Sequence, residues 1–473
     1  MVKKIFINMG GIISSRVLGF LRDMATASIL GASIYTDLFF IAFKLPNLFR
    51  RVFAEGAFTQ ALLPTLESVS NWGGVAYLIW QRFFKWVFLL SLLVTIGQQL
   101  VAQLVAIGYP SHLREMAAPL IALNFWYLDF IFTATFFGAL LQRAGRFGIP
   151  AFSPALLNLA LLGALGVIAL FHLPPLPAVY ALSIGVLVGG GLQLLLHWWG
   201  VVKSGIWEKL REGRSRPFSE KDREGVKRFY SHFFNSVWGS STAQIASFVD
   251  TWLATFLGAG SVSYLYYSNR LFQLPFALFV IATSTVFFPK IARLLNSGRQ
   301  REGEELLVST YTYLLPVLGF TTSLTFYSAL PIVKLLFERG EFGATDSWIT
   351  AQLLQFYILG LLPYGIAKLF TSYLYGSHRH KEVALYSTIG VGVNILLSLL
   401  LIWKMGVTAL PLATTAGGVA LLCASYRGLP PRLKRQLALN WRGWGLLGVG
   451  VIAGWAGAPL FSALLLWIKG VVG

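Results

Sequence analysis

Inside one largely apolar stretch of the chain, which starts at Gly10 and closes on Glu67, eight charged side chains are crowded: Arg16, Arg22, Asp23, Asp37, Lys44, Arg50, Arg51 and Glu55. At the centre of a membrane helix each such charge costs about 2.5 to 3.5 kcal/mol on insertion scales, so these groups need internal partners or water and are expected to face a cavity. Five of the eight are basic and three acidic, which leaves a surplus of positive charge suited to an anion. The plainer alternative is a set of internal salt bridges that only hold helices together. The excess of bases over acids argues against it.

Spacing sharpens the expectation. At 100° per residue, Asp37, Lys44, Arg51 and Glu55 fall within about 40° of one another on a single helical stripe. Pro46 lies inside that stripe, where it predicts an interruption and a kink whose freed carbonyls need neighbours or cavity water. Arg16 and Arg22 stand about 120° and about 9 Å apart on the preceding helix, which suits two side chains lining one lumen rather than a tight clamp.

The second half of the chain carries fewer in-span charges: Asp250, Arg270, Lys334 and Lys368. Lys334 sits near a span end, from which it reaches the interface. Arg270, in YLYYSNRLFQLPF, lies about two turns inside its span with Pro275 beyond it, mirroring the arginines of the first half. Asp250 is the one acid deep in these spans. Asn394 and Ser398 are one turn apart on a later span and Thr414 is on the next, so four oxygen-bearing residues, Asp250, Asn394, Ser398 and Thr414, form a candidate cation site. An aspartate satisfied by hydroxyls, or protonated, is the alternative.

The elements that position these residues are membrane helices. Of 473 residues 56% are hydrophobic and only 12% charged, about half the charge of a soluble protein, and mean hydropathy is +0.67. Apolar runs of about 18 residues or more recur, and the period-two pattern of a barrel is absent. The net charge of +19 does not mark a nucleic-acid binder, because 26 of 38 Lys and Arg residues lie at the N-terminus or in every second loop. That asymmetry is the positive-inside pattern and predicts a cytoplasmic N-terminus. The opening residues resemble a signal peptide, but Arg16 and Arg22 interrupt the apolar run, so the first span is read as uncleaved. Cys423 is the single cysteine, which excludes an internal disulfide and a cysteine metal site.

Spans are expected near 5–30, 34–66, 83–107, 119–142, 152–171 and 178–200, then near 229–257, 264–289, 306–337, 348–375, 382–403 and 407–426. The resulting organisation is a six-helix lobe over 1–202, a basic, partly helical cytoplasmic linker over 203–228, a second six-helix lobe over 229–426, and a cytoplasmic loop with a further span over 427–473. The fold class is an all-α polytopic membrane protein, two six-helix lobes around a central cationic cavity plus one or two C-terminal helices. One long kinked span is expected from Gly443 onward, because two short segments would barely cross.

Three stretches, SRVLGFLRD at 15–23, TDLFFIAFKLPNLFRRVFAEGAFTQALLP at 36–64, and the Arg270 region with its following proline, resemble the MurJ (MviN) family of lipid II flippases, in the multidrug/oligosaccharidyl-lipid/polysaccharide exporter superfamily. The resemblance implies a V-shaped helical protein of the bacterial inner membrane that moves lipid II, a polyprenyl-pyrophosphate carrier of the peptidoglycan precursor, from the inner to the outer leaflet by alternating access. It also implies that Arg16, Arg22, Arg50 and Arg270 hold the pyrophosphate head, and that Asp37, Lys44, Arg51 and Glu55 belong to the substrate site. Sodium ion, proton or membrane potential is the implied driving force, with no other cofactor. The protein is expected to be monomeric, associated with cell-wall synthesis machinery. Two departures stand out: Asn269 occupies a position where an acid commonly precedes the arginine, and the C-terminal segment is too short for the two extra helices with which the family usually ends.

A pyrophosphate head carries about two negative charges, and guanidinium forks match its oxygens without losing charge on burial. A flippase for another polyprenyl-linked oligosaccharide, or a drug exporter, is the alternative within transport. Drug exporters of this superfamily mostly take organic cations, which a positive cavity repels. An enzyme acting on polyprenyl phosphates would need a clustered base, nucleophile or metal-binding carboxylates. The six histidines fall in loops or near span ends, and no intramembrane Asp-x-x-Asp occurs.

Overall fold

The computed structural model describes residues 2–51 and 58–472. Contacts divide the chain into two units, Met1–Phe248 and Val249–Gly473. The first holds α1 (Val2–Leu30), α2 (Ile34–Phe49), α3 (Phe58–Ser68), α4 (Trp72–Ile96), α5 (Gln98–Val105), α6 (Ser111–Phe125), α7 (Tyr127–Arg143), α8 (Gly148–Leu170), α9 (Pro175–Lys203), α10 (Ile206–Ser215) and most of α11 (Glu220–Ala254). The second holds α12 (Ser261–Pro275), α13 (Ala282–Asn296), α14 (Gln300–Tyr327), α15 (Ala329–Leu336), α16 (Ala344–Leu359), α17 (Leu361–Gly376), α18 (His380–Met405), α19 (Ala409–Arg427), α20 (Pro431–Ala438) and α21 (Trp441–Val472). Among the described residues there is no strand.

Eight stretches of the described residues are long and apolar enough to cross a membrane, or nine if the bent pair α14 and α15 counts as one. One of them, His380–Arg427, folds back on itself. Tyr386 meets Gly428, Gly390 meets Gly417, and Asn394 bonds to Thr414, so α18 and α19 run antiparallel. At 1.5 Å per residue each is about 28 Å or longer, enough for its own crossing. Other pairs have directions that fit one crossing per expected span. α4 and α7 are antiparallel through Ser91–Asp129 and Trp80–Thr133. α14 and α21 are parallel through Thr312–Asn440 and Ser328–Ser462.

Two features differ from the expectation. The segment over 203–228 is not a free linker: α10 and the start of α11 pack on the first unit. Ser219 and Asp222 form a capping box, with the Ser219 amide donating to Asp222 Oδ2 at 3.0 Å and the Asp222 amide to Ser219 Oγ at 3.2 Å. Asp222 Oδ1 also accepts the backbone N–H groups of Ser70 and Asn71, at 2.9 and 3.0 Å. Burial alone would raise the Asp222 carboxyl, but the donors from Asn71, Ser219 and Ser70 outweigh it and hold the group below the ordinary aspartate value. The expected lobe boundary at 228/229 therefore falls inside α11, whose Phe229 and Phe233 join Phe58, Phe83 and Phe132 in a buried aromatic cluster. Secondly, Pro46 does not end α2, which continues to Phe49. The helix loosens only beyond it, where Arg50 and Arg51 sit in a wider π-type turn.

The C-terminal stretch is one 32-residue helix, α21, with Pro459 inside it.

Candidate functional site

In the first unit the arginines are placed by close helix contact. A Cβ on Gly11 would lie 2.7 Å from the Ala151 backbone, so α1 meets α8 at a distance only glycine permits there. That approach brings Arg22 beside Asn158, whose side-chain oxygen accepts Nη1 at 3.0 Å, while Asn158 Nδ2 donates to the Ser15 carbonyl at 3.0 Å. Nε and Nη2 of Arg22 donate to Asp23 Oδ1, at 3.1 and 2.5 Å. The guanidinium plane is thus fixed from two sides, by α1 itself and by α8.

Arg50 donates through Nε and Nη2 to Asn47 Oδ1, at 3.1 and 2.7 Å. It lies close enough to Tyr127 and Arg22 for their charges to interact, so the structure gathers Arg22, Arg50 and Tyr127 into one polar locus. The Tyr127 hydroxyl donates to Gln193 Oε1 at 3.2 Å, and Gln193 Nε2 donates to the Ser153 carbonyl at 3.1 Å, which ties that locus to α8 and α9. Arg16 is exposed on α1.

The residues of the α2 stripe differ in exposure. Asp37 is fully buried rather than open to a cavity, and Tyr109 donates its hydroxyl to Asp37 Oδ2 at 3.2 Å. Lys44 donates to Ser247 Oγ at 2.8 Å, and Arg51 is exposed. Glu55 lies outside the described residues.

In the second unit three of the four candidate cation ligands, Asp250, Asn394 and Thr414, are joined by hydrogen bonds, and Ser398 lies one turn from Asn394 on α18. α18 and α19 touch backbone to backbone, since a Cβ on Gly417 would lie 2.6 Å from the Gly390 carbonyl oxygen. One turn along, Asn394 Nδ2 donates to Thr414 Oγ1 at 3.0 Å, and Thr414 Oγ1 is 3.2 Å from Asp250 Oδ2. Asp250 is 9% exposed, Asn394 3% and Ser398 fully buried. Among the described residues Asn394 Oδ1 and Ser398 Oγ are buried without a hydrogen-bond partner. A carboxylate, a hydroxyl and an amide so joined, with a further hydroxyl one turn away, are oxygen donors of the type that a small hard cation takes. No group of three or more His, Cys, Asp or Glu residues suited to a transition metal occurs among the described residues.

Arg270, half-buried on α12, follows Asn269, which accepts a side-chain bond from Gln273 and also bonds to Tyr357. Tyr357 and Tyr364 both feel the charge of Asp250. Asn269, next to the arginine in sequence, therefore bonds to a tyrosine that feels the charge of Asp250. Lys334 is 4.0 Å from Glu338, which also pairs with Lys469 of α21, and Lys368 is exposed on α17.

Sequence reasoning did not single out Asn158, Tyr127, Gln193 or Tyr357. Asn158, a lone amide in the apolar run FSPALLNLALL, carried a usable signal, because a polar side chain in a span needs a partner. The tyrosines carried none, being ordinary amphipathic residues until their partners are known.

A family model described as lipid II flippase MurJ matches residues 26–470. A probable lipid II flippase MurJ of Helicobacter pylori is 41% identical over 428 residues, covering 88% of this chain and 93% of that protein. One of Vibrio cholerae is 31% identical over 434 residues, covering 88% and 80%. Among solved structures, a lipid II flippase MurJ in an inward closed conformation superposes with a TM-score of 0.78 at 22% identity, over 99% of this chain and 98% of that one. An inward-facing multidrug resistance MATE family transporter gives 0.72 at 12% identity, over 92% and 99%. At such identities the two structures speak for the fold. The sequence matches decide the family, and the chain belongs to the lipid II flippase MurJ family.

Proposed function

We propose that this chain moves lipid II from the inner to the outer leaflet of the bacterial cytoplasmic membrane, with its N-terminus in the cytoplasm and without a chemical step. The observation that carries the reading is 41% identity, over nearly the whole length, to a protein described as a probable lipid II flippase. The polar locus of Arg22, Arg50 and Tyr127 supports it from physical chemistry. A guanidinium held against α8, with a second near it at the end of α2, offers paired donors to a pyrophosphate. A polar head crossing hydrocarbon unaided would leave its charges unsolvated, whereas side chains of this kind replace the lost water while the polyprenyl tail stays in lipid. We assign Arg16, Arg22, Arg50 and Arg270 to the pyrophosphate, with Asp37, Lys44, Arg51 and Glu55 as further substrate-site residues.

Asp250, Asn394, Ser398 and Thr414 are proposed to hold the coupling ion, sodium or a proton. The orphaned oxygens of Asn394 and Ser398 favour a cation over a purely structural cluster. Drug export has weaker support, since the likeness to a MATE transporter lies in the fold at 12% identity. The test is a vesicle assay. Purified protein reconstituted with fluorescent lipid II should make the label accessible to an impermeant quencher faster than protein-free vesicles do. Equal rates would overturn the proposal.

A further inference from the structure

The first unit contains a buried acid that the substrate locus does not use. Asp129 lies on α7, 7% exposed, within a 33-residue apolar span that runs from Ser111 to Arg143. It is about 27 Å from one end and about 21 Å from the other by helical rise, so it sits near mid-membrane. Ser91 of α4, itself fully buried, donates its hydroxyl to Asp129 Oδ2 at 2.6 Å. Oδ1 is buried and has no hydrogen-bond partner among the described residues.

No counter-charge is at hand. Among the described residues Asp129 forms no ion pair, and no charged group acts on it. The ionisable groups of the packed elements are engaged elsewhere or distant. Asp37 of α2 is bonded by Tyr109, Glu67 of α3 pairs with Arg143 of α7 itself, and His197 of α9 bonds the Gln193 carbonyl. Arg82 and Lys85 of α4 are exposed, about two turns from Ser91, Arg114 and Glu115 of α6 lie about 21 Å or more along the span, and Lys203 of α9 stacks on Trp199. α8 carries no charged residue.

An ionised carboxylate so placed would have one hydroxyl donor for two oxygens and no cation. A group in that position ordinarily takes up a proton instead. We propose that Asp129 is a proton-binding site of the first unit, separate from the Asp250 cluster. Its surroundings suggest what the proton controls. The Asp129 amide donates to the Trp126 carbonyl at 3.2 Å across the joint between α6 and α7, and the Trp126 indole donates to Thr95 Oγ1, whose hydroxyl bonds the Ser91 carbonyl. The proton thus sits where α4 grips a break in the neighbouring span. Its loss would place a bare charge in that grip and loosen it.

The test is infrared spectroscopy of the full chain in an ester-free detergent, recorded from mildly acidic to neutral pH. A carboxylic-acid carbonyl band should be present in the wild type and missing in Asp129→Asn, which keeps the shape and mimics the neutral acid. If that variant does not fold, Ser91→Ala decides: removing the hydroxyl should leave the band and move it to higher frequency. Spectra with no band, at any pH in that range, that depends on Asp129 or on Ser91 overturn the proposal.

Discussion

Arg22→Lys separates a phosphate-gripping arginine from a charge that merely balances acids. In the structure the Arg22 guanidinium spans two acceptors, Asp23 Oδ1 and, through Nη1 at 3.0 Å, Asn158 Oδ1, and its side chain is only 14% exposed. Lysine keeps the charge and reaches Asp23. A single ammonium has no planar fork, so it cannot hold the Asn158 contact and present a fixed face to a pyrophosphate. Loss of one charge-assisted bond is worth about 1.5 to 3 kcal/mol, and at about 1.4 kcal/mol per decade lipid II affinity should fall about ten- to a hundredfold. Membrane insertion should not change, because the charge count is the same. The assay is binding of labelled lipid II to purified Arg16→Lys, Arg22→Lys, Arg50→Lys and Arg270→Lys variants. Arg50→Lys should be the mildest, since Arg51 is adjacent. Wild-type affinity in all four would refute the assignment, whatever the growth phenotype.

Asp250→Asn should slow transport while leaving the folded protein in the membrane, and sodium should raise the thermal stability of the wild type but not of the variant; no response of the wild type to sodium would exclude that ion and leave the proton. Gly417→Ala places a Cβ 2.6 Å from the Gly390 carbonyl oxygen and should destabilise the α18–α19 pair by about 1 to 3 kcal/mol, read as a lower melting temperature and a weakened ion response. Asp222, held below its ordinary value, stabilises the fold fully above its unfolded value of about 3.9, and that stability drains away as pH falls through the lower folded value; Asp222→Asn should flatten this acid limb of a stability profile. Single cysteines on a Cys423→Ala background should be labelled from outside the cell at Ser111 and Gly343; labelling at Ser215 instead would invert the proposed topology.

The helices and their directions were legible because they follow from burial of apolar runs and from alternating loop charge. The meeting of Asn394 and Thr414 with Asp250 was foreshadowed by spacing, since Asn394 lies on one span and Thr414 on the next and only the pairing of α18 with α19 had to be assumed. The full burial of Asp37 was not. A helical wheel gives the angle of Asp37 but not the presence of Tyr109, which arrives from a loop more than seventy residues later in the sequence. Pro46 misled for a similar reason: its cost falls on a local hydrogen bond, and the helix absorbed it, loosening only past Phe49. The segment over 203–228 read as a linker from its charge, yet its capping box and the aromatic run behind it, Phe229 to Phe233, anchor it to the first unit.

The central claim is lipid II transport that depends on a fixed arginine fork, and a cell depleted of its own lipid II flippase tests it most directly. Expression of this chain should restore growth and clear the lipid II that accumulates facing the cytoplasm, and expression of Arg22→Lys at the same membrane level should do neither. Persistent inward-facing lipid II despite full-length wild-type protein in the membrane would contradict the account.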